Sequence, residues 1–201
     1  MKRMILMAAM LFCVLVAGAQ DKDGKDVPYR YEVRLGWSGY PVGDDNQFVG
    51  VNNHGFYSYD TSISDIFSEY DGTTYMTGNI VGEFNVHFKK WFTLSVGFAA
   101  NGIWKDVYSS QTDIKLRREN GWTATVLPQA RFNWIKKEVV KVYSSVGAGV
   151  RAGSFDERAD ILIAGQLVPI GINVGKKVFG FAELGIGTVY IGGMFGIGYR
   201  F

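Results

Sequence analysis

The chain contains very little cysteine and histidine. Of its 201 residues, one is a cysteine and two are histidines. Cys13 lies in an apolar N-terminal segment, and the chain beyond that segment has no cysteine, which excludes a disulfide framework, thiol catalysis and a cysteine metal site there. Phe12 is too bulky to precede an acylated lipoprotein cysteine, so we do not expect lipidation of Cys13. We predict no metal site and no cofactor.

Charged residues are also sparse. Lys and Arg number 21 and Asp and Glu number 19, so the net charge is +2, and charged residues make up only 20% of the chain. No basic cluster exists apart from three isolated Lys-Lys pairs, and we therefore expect no nucleic-acid partner. Glycine is abundant instead, with 26 residues, which is about twice its usual ~7% share.

The N-terminal residues have the features of a secretion leader. Lys2 and Arg3 form a positive region, residues 4–16 are apolar, and Ala17-Gly18-Ala19 is a small-x-small cleavage site. The apolar run is too short to be a spanning helix. We predict a signal peptide over 1–19 that is removed, a short polar segment over 20–28, and one domain over 29–201.

The three Lys-Lys pairs mark predicted tight turns. They are Lys89-Lys90, Lys136-Lys137 and Lys176-Lys177, and each lies between two stretches in which apolar and polar or small residues alternate. Alternation with period 2 indicates β-strands rather than helices. Short turns at one end and longer loops at the other are typical of outer-membrane barrels. The predicted strands cover about 29–38, 79–88, 92–99, 122–134, 140–151, 161–175, 178–189 and 195–201.

The alternation alone does not determine which face meets water. A soluble lipocalin-like barrel also has eight strands, but it turns its apolar face inward. Two features favour the opposite arrangement. The polar face is rich in Gly, Thr, Ser and Asn, as expected of a narrow lumen. The five tryptophans fall at strand ends, as in the two aromatic girdles of a membrane barrel: Trp37, Trp91, Trp104, Trp122 and Trp134.

We predict a cluster of charged side chains in the lumen. Six charged residues fall on the polar faces of the strands: Glu32, Arg34, Glu83, Arg131, Arg151 and Glu183. An unpaired buried charge is costly, so these groups need partners. One interpretation is a network of ion pairs that fills the barrel, and the alternative is a gated or ion-selective path. Because eight strands enclose little more than their own side chains, passage of large solutes is disfavoured.

Four loops are predicted at the end opposite the Lys-Lys turns. The first, 41–72, carries six Asp and Glu and no Lys or Arg, and apolar residues from Ile63 to Tyr70 recur at helical spacing after Ser62. This loop is a candidate for a short amphipathic helix, for Ca²⁺ binding or for an extracellular partner. The other loops are predicted at about 105–120, at about 154–160 and as a tight turn near Ile191-Gly192-Gly193.

No recognisable catalytic pattern surrounds either histidine. A Ser-His-acid site needs a serine and a carboxylate that converge on one imidazole. His87 is predicted to point into the lumen near a turn, and His54 lies in the acidic first loop. Neither has such partners at a recognisable spacing, so we predict no catalytic residues and no enzyme activity.

The chain ends on a strand that resembles an assembly signal. Phe195, Ile197, Tyr199 and Phe201 alternate with small or charged residues up to the last position. An exposed terminal edge strand invites aggregation, whereas a closed barrel has no edge. The aromatic terminus resembles the signal by which outer-membrane insertion machinery recognises its substrates, and the strand is expected to pair with the first strand near Tyr29.

Three segments carry a resemblance to a known family, at residues 165–171, 175–187 and 196–201. Together they resemble the outer-membrane β-barrel proteins of Bacteroidetes and, more broadly, small OmpA/OmpX-type barrels. The resemblance implies an eight-stranded antiparallel up-and-down transmembrane barrel in a bacterial outer membrane. It also implies contact with lipid and lipopolysaccharide and insertion by the barrel assembly machinery. We expect a monomer with a structural or surface-interaction role, with a narrow channel or a lipid-binding or lipid-modifying barrel as alternatives.

Overall fold

A computed structural model of the protein describes residues 29–39, 41, 69–137, 139–155 and 158–201. The predicted signal peptide over 1–19 and the polar segment over 20–28 lie outside the described residues. Among the described residues, no helix is long and apolar enough to cross a membrane. The strands are β1 (Tyr31–Ser38), β2 (Glu69–Met76), β3 (Asn79–His87), β4 (Phe92–Ser109), β5 (Lys115–Lys136), β6 (Val140–Phe155), β7 (Arg158–Gly175), β8 (Val178–Gly187) and β9 (Gly192–Arg200).

These nine strands form a closed antiparallel barrel of eight. Neighbours along the sheet are β2, β4, β3, β1, β9, β8, β7, β6 and β5, and pairing between β4 and β5 closes the circle. Both β2 and β3 pair with β4, one after the other, so they are two parts of a single barrel strand. The predicted all-β fold, a closed barrel of eight antiparallel strands, is therefore confirmed, and it is consistent with the fold of small OmpA/OmpX-type barrels.

The break between β2 and β3 has a local cause. Gly78 has a φ of 77°, and a Cβ there would lie 2.6 Å from Nε1 of Trp37, so both the conformation and the space require glycine. Thr77 maintains the connection to β4 across the break. Its backbone N–H donates to the Gly102 carbonyl at 3.0 Å, and its hydroxyl accepts from the Gly102 N–H at 2.9 Å.

The last strand pairs with the first, as predicted. Glu32 lies opposite Arg200, and the backbones of Tyr31 and Phe201 exchange hydrogen bonds of 3.0 and 2.9 Å. The two rings of this terminal pair lie 5.8 Å apart. We call this end of the barrel, with the turns near Lys89 and Lys176, the turn end, and the opposite end the loop end.

The alternating faces have the predicted orientation over most of the barrel. In β1 the buried side chains are the polar ones, and the apolar Val33, Leu35 and Trp37 are exposed. The same arrangement, polar inside and apolar outside, holds for most residues of β3, β5, β6 and β9, although Val81, Leu127 and Met194 are apolar and face inward. In β8, however, Phe179 and Phe181 also face inward, and they add apolar area to the lumen.

One predicted orientation in β7 is wrong. Strict alternation over the predicted strand at 161–175 places Val168 on the outer face with Ile170, but Val168 is buried in the lumen, while Leu167 is exposed. The pairing of β7 with β8 shifts between Leu167 and Ile170, and its pairing with β6 shifts at the same level. Pro169 lies in this β-bulge, where its missing N–H costs no ladder hydrogen bond, and the extra residue reverses the phase of the alternation.

The predicted second loop is also wrong, because strands occupy most of 105–120. β4 continues to Ser109 and β5 begins at Lys115, so the connection covers only 110–114. The charged residues that suggested a loop face each other across the two strands. Lys105 lies opposite Glu119, and their charged groups are 3.2 Å apart. Such cross-strand pairs stabilise a sheet as apolar pairs do.

The other loop boundaries shift in the same direction. β6 ends at Phe155 and β7 begins at Arg158, within the predicted third loop. β2 begins at Glu69, within the predicted first loop, so Tyr70 belongs to a strand and not to a helix. The rest of the predicted helix, His54 and most of the acidic loop lie outside the described residues. Gly192 and Gly193 begin β9, and the fourth loop covers 188–191.

Candidate functional site

The six predicted lumen charges all lie on inner faces of the strands, and none is more than 5% exposed: Glu32, Arg34, Glu83, Arg131, Arg151 and Glu183. They come from β1, β3, β5, β6 and β8, so they converge from most of the barrel circumference. Buried charged groups require compensation by opposite charge and hydrogen bonds. The geometry of these contacts is therefore the central feature of the site.

Arg34 lies at the centre of the charged cluster. Its Nε donates to Glu32 Oε1 at 2.6 Å, and its Nη1 donates to Glu183 Oε1 at 3.1 Å. Arg131 binds the third glutamate, with Nη2 at 2.8 Å from Glu83 Oε2. Three longer ion pairs of 3.6 to 3.9 Å cross-link these contacts. The five side chains thus form one connected network, which we call the lumen network.

Arg200 belongs to this network although it was not among the predicted site residues. Its Nε donates to Glu32 Oε2 at 2.8 Å, and its Nη1 donates to the carbonyls of Gly175 at 2.9 Å and Lys176 at 2.6 Å. A signal was present in the sequence, since Arg200 lies between the outward-facing Tyr199 and Phe201 and must therefore point inward.

Arg151 lies nearer the loop end than the other five predicted charges. Its Nε donates to the Thr125 hydroxyl at 3.3 Å, and the residue is fully buried. The glutamates of the lumen network have Arg34, Arg131 and Arg200 as their close partners. Arg151 therefore occupies a second polar level of the lumen, together with Thr125.

Two tyrosines complete the coordination of Glu183. The hydroxyls of Tyr143 and Tyr190 both donate to its carboxylate, the latter at 3.0 Å, and Arg34 donates to the Tyr143 hydroxyl at 2.7 Å. The centroid of the Tyr143 ring is also close to two guanidinium groups, at 4.9 Å from that of Arg34 and 4.5 Å from that of Arg131. Aromatic faces stabilise desolvated cations. Tyr143 therefore stabilises the Glu183 carboxylate through its hydroxyl and the two guanidinium groups through its ring.

Phenylalanines cover the remaining guanidinium surface. Arg200 lies 3.9 Å from the centroid of the Phe179 ring, and Arg34 lies 5.0 Å from that of Phe181. Both rings come from the inner face of β8. These rings shield the guanidinium groups from water. Because the local dielectric is then low, the attraction between the arginines and the glutamates is stronger.

A hydroxyl, an imidazole and a carboxylate lie in sequence near the turn end. His87 Nδ1 is 2.7 Å from the Thr93 hydroxyl, and His87 Nε2 is 3.5 Å from Glu32 Oε2. Asn133 also donates to the Thr93 hydroxyl, at 3.1 Å. The order resembles a nucleophile, a base and an orienting acid. However, Thr93 has 0% exposure, so a substrate could not reach its hydroxyl, and the contacts extend the lumen network.

The loop between β8 and β9 folds into the lumen. Val189 and Tyr190 are buried, and Gln166 of β7 holds both of them. Its Nε2 donates to the Tyr190 carbonyl at 3.0 Å, while its Oε1 accepts from the Val189 and Tyr190 N–H groups at 3.3 and 3.4 Å. Asn79 donates to the Val189 carbonyl. The glycines at 192 and 193 predicted a tight turn, and they gave no indication that the loop would enter the lumen.

Apolar side chains surround the inserted loop. Val189 and Tyr190 belong to a buried cluster with members from all sides of the barrel: Val81, Ala99, Leu127, Ala164, Val168, Phe179, Phe181 and Met194. Beside this cluster, a cavity of about 20 Å³ is bounded by Glu83, Glu183 and Tyr190 among others. That volume is about one water molecule. The lumen thus contains a charged level and an apolar level in contact.

Three of the five predicted girdle tryptophans, Trp37, Trp91 and Trp134, lie close to strand ends, whereas Trp104 and Trp122 lie inside the long strands β4 and β5. Trp91 and Trp134 are exposed at the turn end, and Trp37 and Trp122 are exposed toward the loop end. Trp104 is half-buried and stacks on Tyr75, with centroids 6.3 Å apart. Two indole N–H groups have partners, from Trp37 to the Thr77 carbonyl at 3.0 Å and from Trp134 to the Ser144 hydroxyl at 2.9 Å.

The residues of the predicted assembly signal face outward. They are Phe195, Ile197, Tyr199 and Phe201, and all four are exposed. The Tyr199 ring stacks on that of Phe201 at 6.2 Å. The part of the chain that the structure describes contains no group of three or more His, Cys, Asp or Glu that could hold a metal ion. The Ca²⁺ hypothesis for 41–72 falls mostly outside it.

No family model matches the chain. A comparison with curated proteins also finds no significant match.

Proposed function

We propose that the protein is an integral outer-membrane β-barrel with a filled lumen and a structural or surface-interaction role. The observation that carries this proposal is the inverted distribution of polarity. Large apolar side chains are exposed on strands all around the barrel, among them Leu35, Ile80, Phe98, Leu184 and Ile197. Ion pairs lie inside. A soluble monomer rarely exposes an apolar surface of this extent, whereas a membrane barrel requires it.

The outer membrane is the location that the sequence supports. A secretion leader over 1–19 would export the chain, and the aromatic alternation up to Phe201 resembles an insertion signal. The exposed tryptophans near both ends have the arrangement of girdles at two membrane–water boundaries. We propose contact with lipid and lipopolysaccharide along the outer face, and a monomer, since a closed barrel has no strand edge for pairing.

The contents of the lumen support a closed barrel rather than a transport path. The lumen network spans the barrel from Glu32 to Glu183, and the inserted loop at 188–191 adds an apolar level. An eight-stranded barrel is only just wide enough for its own side chains. The runner-up function, a narrow channel, would require both levels to open. Planar-bilayer recording distinguishes the two, because reproducible single-channel steps would contradict a closed lumen.

The membrane proposal is tested by extraction and by heat-modifiable migration. We expect the protein to require detergent for extraction from membranes. We also expect the unboiled sample to migrate differently from the boiled sample on a detergent gel, because a folded barrel resists the detergent. A protein that stays in solution without detergent would refute the membrane proposal and favour a soluble lipid-binding barrel.

Assembly by the barrel assembly machinery is a separate proposal. Phe201 pairs with Tyr31 through its backbone, so a Phe201→Ala variant keeps the backbone contacts and loses only the ring. We expect lower levels of this variant in the outer membrane of living cells. Refolding of purified variant into detergent should be close to that of the wild type. Unchanged levels in cells would contradict a signal at this position.

Enzyme activity has no support from the lumen. The Thr93, His87 and Glu32 array is buried, and we propose a structural role for it. An unaltered lipid A mass spectrum in an overexpressing strain is the expected result, because lipid A is the substrate most accessible to a barrel enzyme. Surface interaction through 41–72 remains a proposal that rests on the acidity of this loop in the sequence.

A further inference from the structure

The outer face of the barrel has a groove that crosses β8. It is an open groove with about 560 Å³ of space, and residues of five strands bound it, from Val142 of β6 to Trp37 at the loop end of β1. This volume is within the range of about 300–1,000 Å³ found for small-molecule binding sites. The outer face therefore has a local depression. An apolar surface that faces lipid does not need such a depression.

Small residues on neighbouring strands produce the groove. The pairing register places Ala182 between Ile172 of β7 and Phe195 of β9, and it places Gly193 beside Leu184. A Cβ added at Gly193 would meet nothing within 4 Å, so the space above it is open. Larger side chains border this floor, and the Trp37 and Phe195 rings contact each other at one side with centroids 5.6 Å apart.

The lining has the chemistry of a site for a hydrocarbon chain. Its outward side chains are aliphatic or aromatic, and no Lys or Arg lies among the described residues that bound it. Glu183 is also at the boundary, but its carboxylate points into the lumen toward Arg34 and the two tyrosines. A ligand held here gains burial of apolar surface and finds no side-chain partner for a charged group.

We propose that this groove seats one acyl chain of a phospholipid. The inference rests on the proposed membrane location, since the groove is continuous with the apolar surface that would face the bilayer. The choice of a zwitterionic phospholipid over lipid A follows from the absence of basic residues in the described lining, because an ethanolamine headgroup neutralises its own phosphate, whereas the phosphates of lipid A need cationic partners. A seated chain would be retained more firmly than the lipid around the rest of the barrel.

The test compares two glycine substitutions on the outer face. Gly193→Phe places a ring in the groove, and Gly82→Phe is its control, because Gly82 of β3 also faces outward with nothing within 4 Å of an added Cβ. Neither glycine has a positive φ. Ala182→Leu is a second variant that fills the floor with a smaller change, in case Gly193→Phe does not fold.

The measurement is native mass spectrometry of purified, delipidated protein after incubation with dioleoyl phosphatidylethanolamine or with lipid A. We expect one phospholipid to be retained by the wild type and by Gly82→Phe, and at least a tenfold lower bound fraction for Gly193→Phe or Ala182→Leu. Equal retention by the groove variants would refute the site, as would no retention by the wild type or a preference for lipid A.

A separate measurement distinguishes this inference from the membrane proposal. Each variant is examined for heat-modifiable migration before the lipid experiment. If the wild type migrates as a folded barrel but holds no phospholipid, the groove proposal fails while the membrane proposal stands. If the protein is soluble without detergent and shows no such migration, the membrane proposal fails, and with it the reason to expect an acyl chain.

Discussion

Arg200 donates a hydrogen bond of 2.8 Å to Glu32, which joins the last strand of the barrel to the first. The two residues are also direct partners in the backbone pairing of β9 with β1. Closure of the barrel and formation of the lumen network are therefore coupled, because the same two residues take part in both. The charged lumen is then a determinant of the closed fold, in addition to filling the barrel.

Replacement of Arg200 by methionine should destabilise the barrel strongly. The change leaves Glu32 with one fewer cationic partner, and removal of one member of a buried ion pair typically costs about 3–5 kcal/mol. We expect a loss of about 3 kcal/mol in the free energy of unfolding, since Arg34 still binds Glu32. Urea titration of the refolded protein in micelles, followed by tryptophan fluorescence, measures this.

The control for this variant is Arg30→Met. Arg30 precedes β1 at the same end of the barrel, is only half-buried, and lies 5.9 Å from the centroid of the Tyr31 ring. Such a contact at a partly exposed site contributes about 0.5–1 kcal/mol. Similar losses for the two variants would show that the contact of Arg200 with Glu32 adds little to stability.

The ion pair between Glu83 and Arg131 should show strong energetic coupling. Both side chains are fully buried and their charged atoms are 2.8 Å apart, so each single substitution, Glu83→Gln or Arg131→Met, leaves a charge without its closest partner. In a double-mutant cycle on the free energy of unfolding, we expect a coupling of about 1–3 kcal/mol.

Lys115 and Asp106 provide the matched comparison for that cycle. Their charged atoms are 2.7 Å apart, but the side chains are 46% and 22% exposed. Exposed pairs typically contribute about 0.2–1 kcal/mol and weaken as salt is added. Equal coupling in the two cycles would mean that water reaches Glu83 and Arg131, which contradicts a filled lumen.

Gln166 should control the mobility of the inserted loop. A Gln166→Leu variant keeps the approximate volume of the side chain but removes its three hydrogen bonds to Val189 and Tyr190. Each such bond contributes about 1 kcal/mol, so we expect amide hydrogen exchange over 188–191 to accelerate at least tenfold. Gln129→Leu is the control, because Gln129 bonds to the Ser145 side chain instead. Unchanged exchange would show that apolar packing alone holds the loop.

The strands and most of their faces could be predicted because alternation is a local property. In β1, Glu32 and Arg34 alternate with Val33 and Leu35, so the inner face carries either the charged pair or the apolar pair, and the arrangement of tryptophans selects between them. The pairing of Phe201 with Tyr31 followed from the same reasoning, since a closed barrel must join its ends.

The errors arise where the outcome depends on partners distant in sequence. Each of Lys105 and Glu119, considered alone, is a charged residue typical of a loop. Only their pairing across two neighbouring strands explains why both belong to strands. Val168 faces inward because a bulge at Pro169 changes the phase, and alternation cannot locate an extra residue. The inward fold of Tyr190 depends on a space inside the barrel that the sequence does not display.

An arginine on the outer face should test the membrane location through stability alone. Ile197 of β9 is 65% exposed and lies opposite Leu35, midway between the barrel ends, whereas Ile114 in the connection between β4 and β5 is 62% exposed. In a bilayer, arginine near the midplane costs about 2–4 kcal/mol and near the interface about 0–1 kcal/mol.

Ile197→Arg should therefore reduce the free energy of unfolding in phospholipid vesicles by at least ~2 kcal/mol, and Ile114→Arg should change it little. In a water-soluble barrel both positions would face solvent, and surface substitutions there typically change stability by no more than about 0.5 kcal/mol. Equal, small effects at the two positions would contradict a membrane-facing β9, even for a protein that folds as the same eight-stranded barrel.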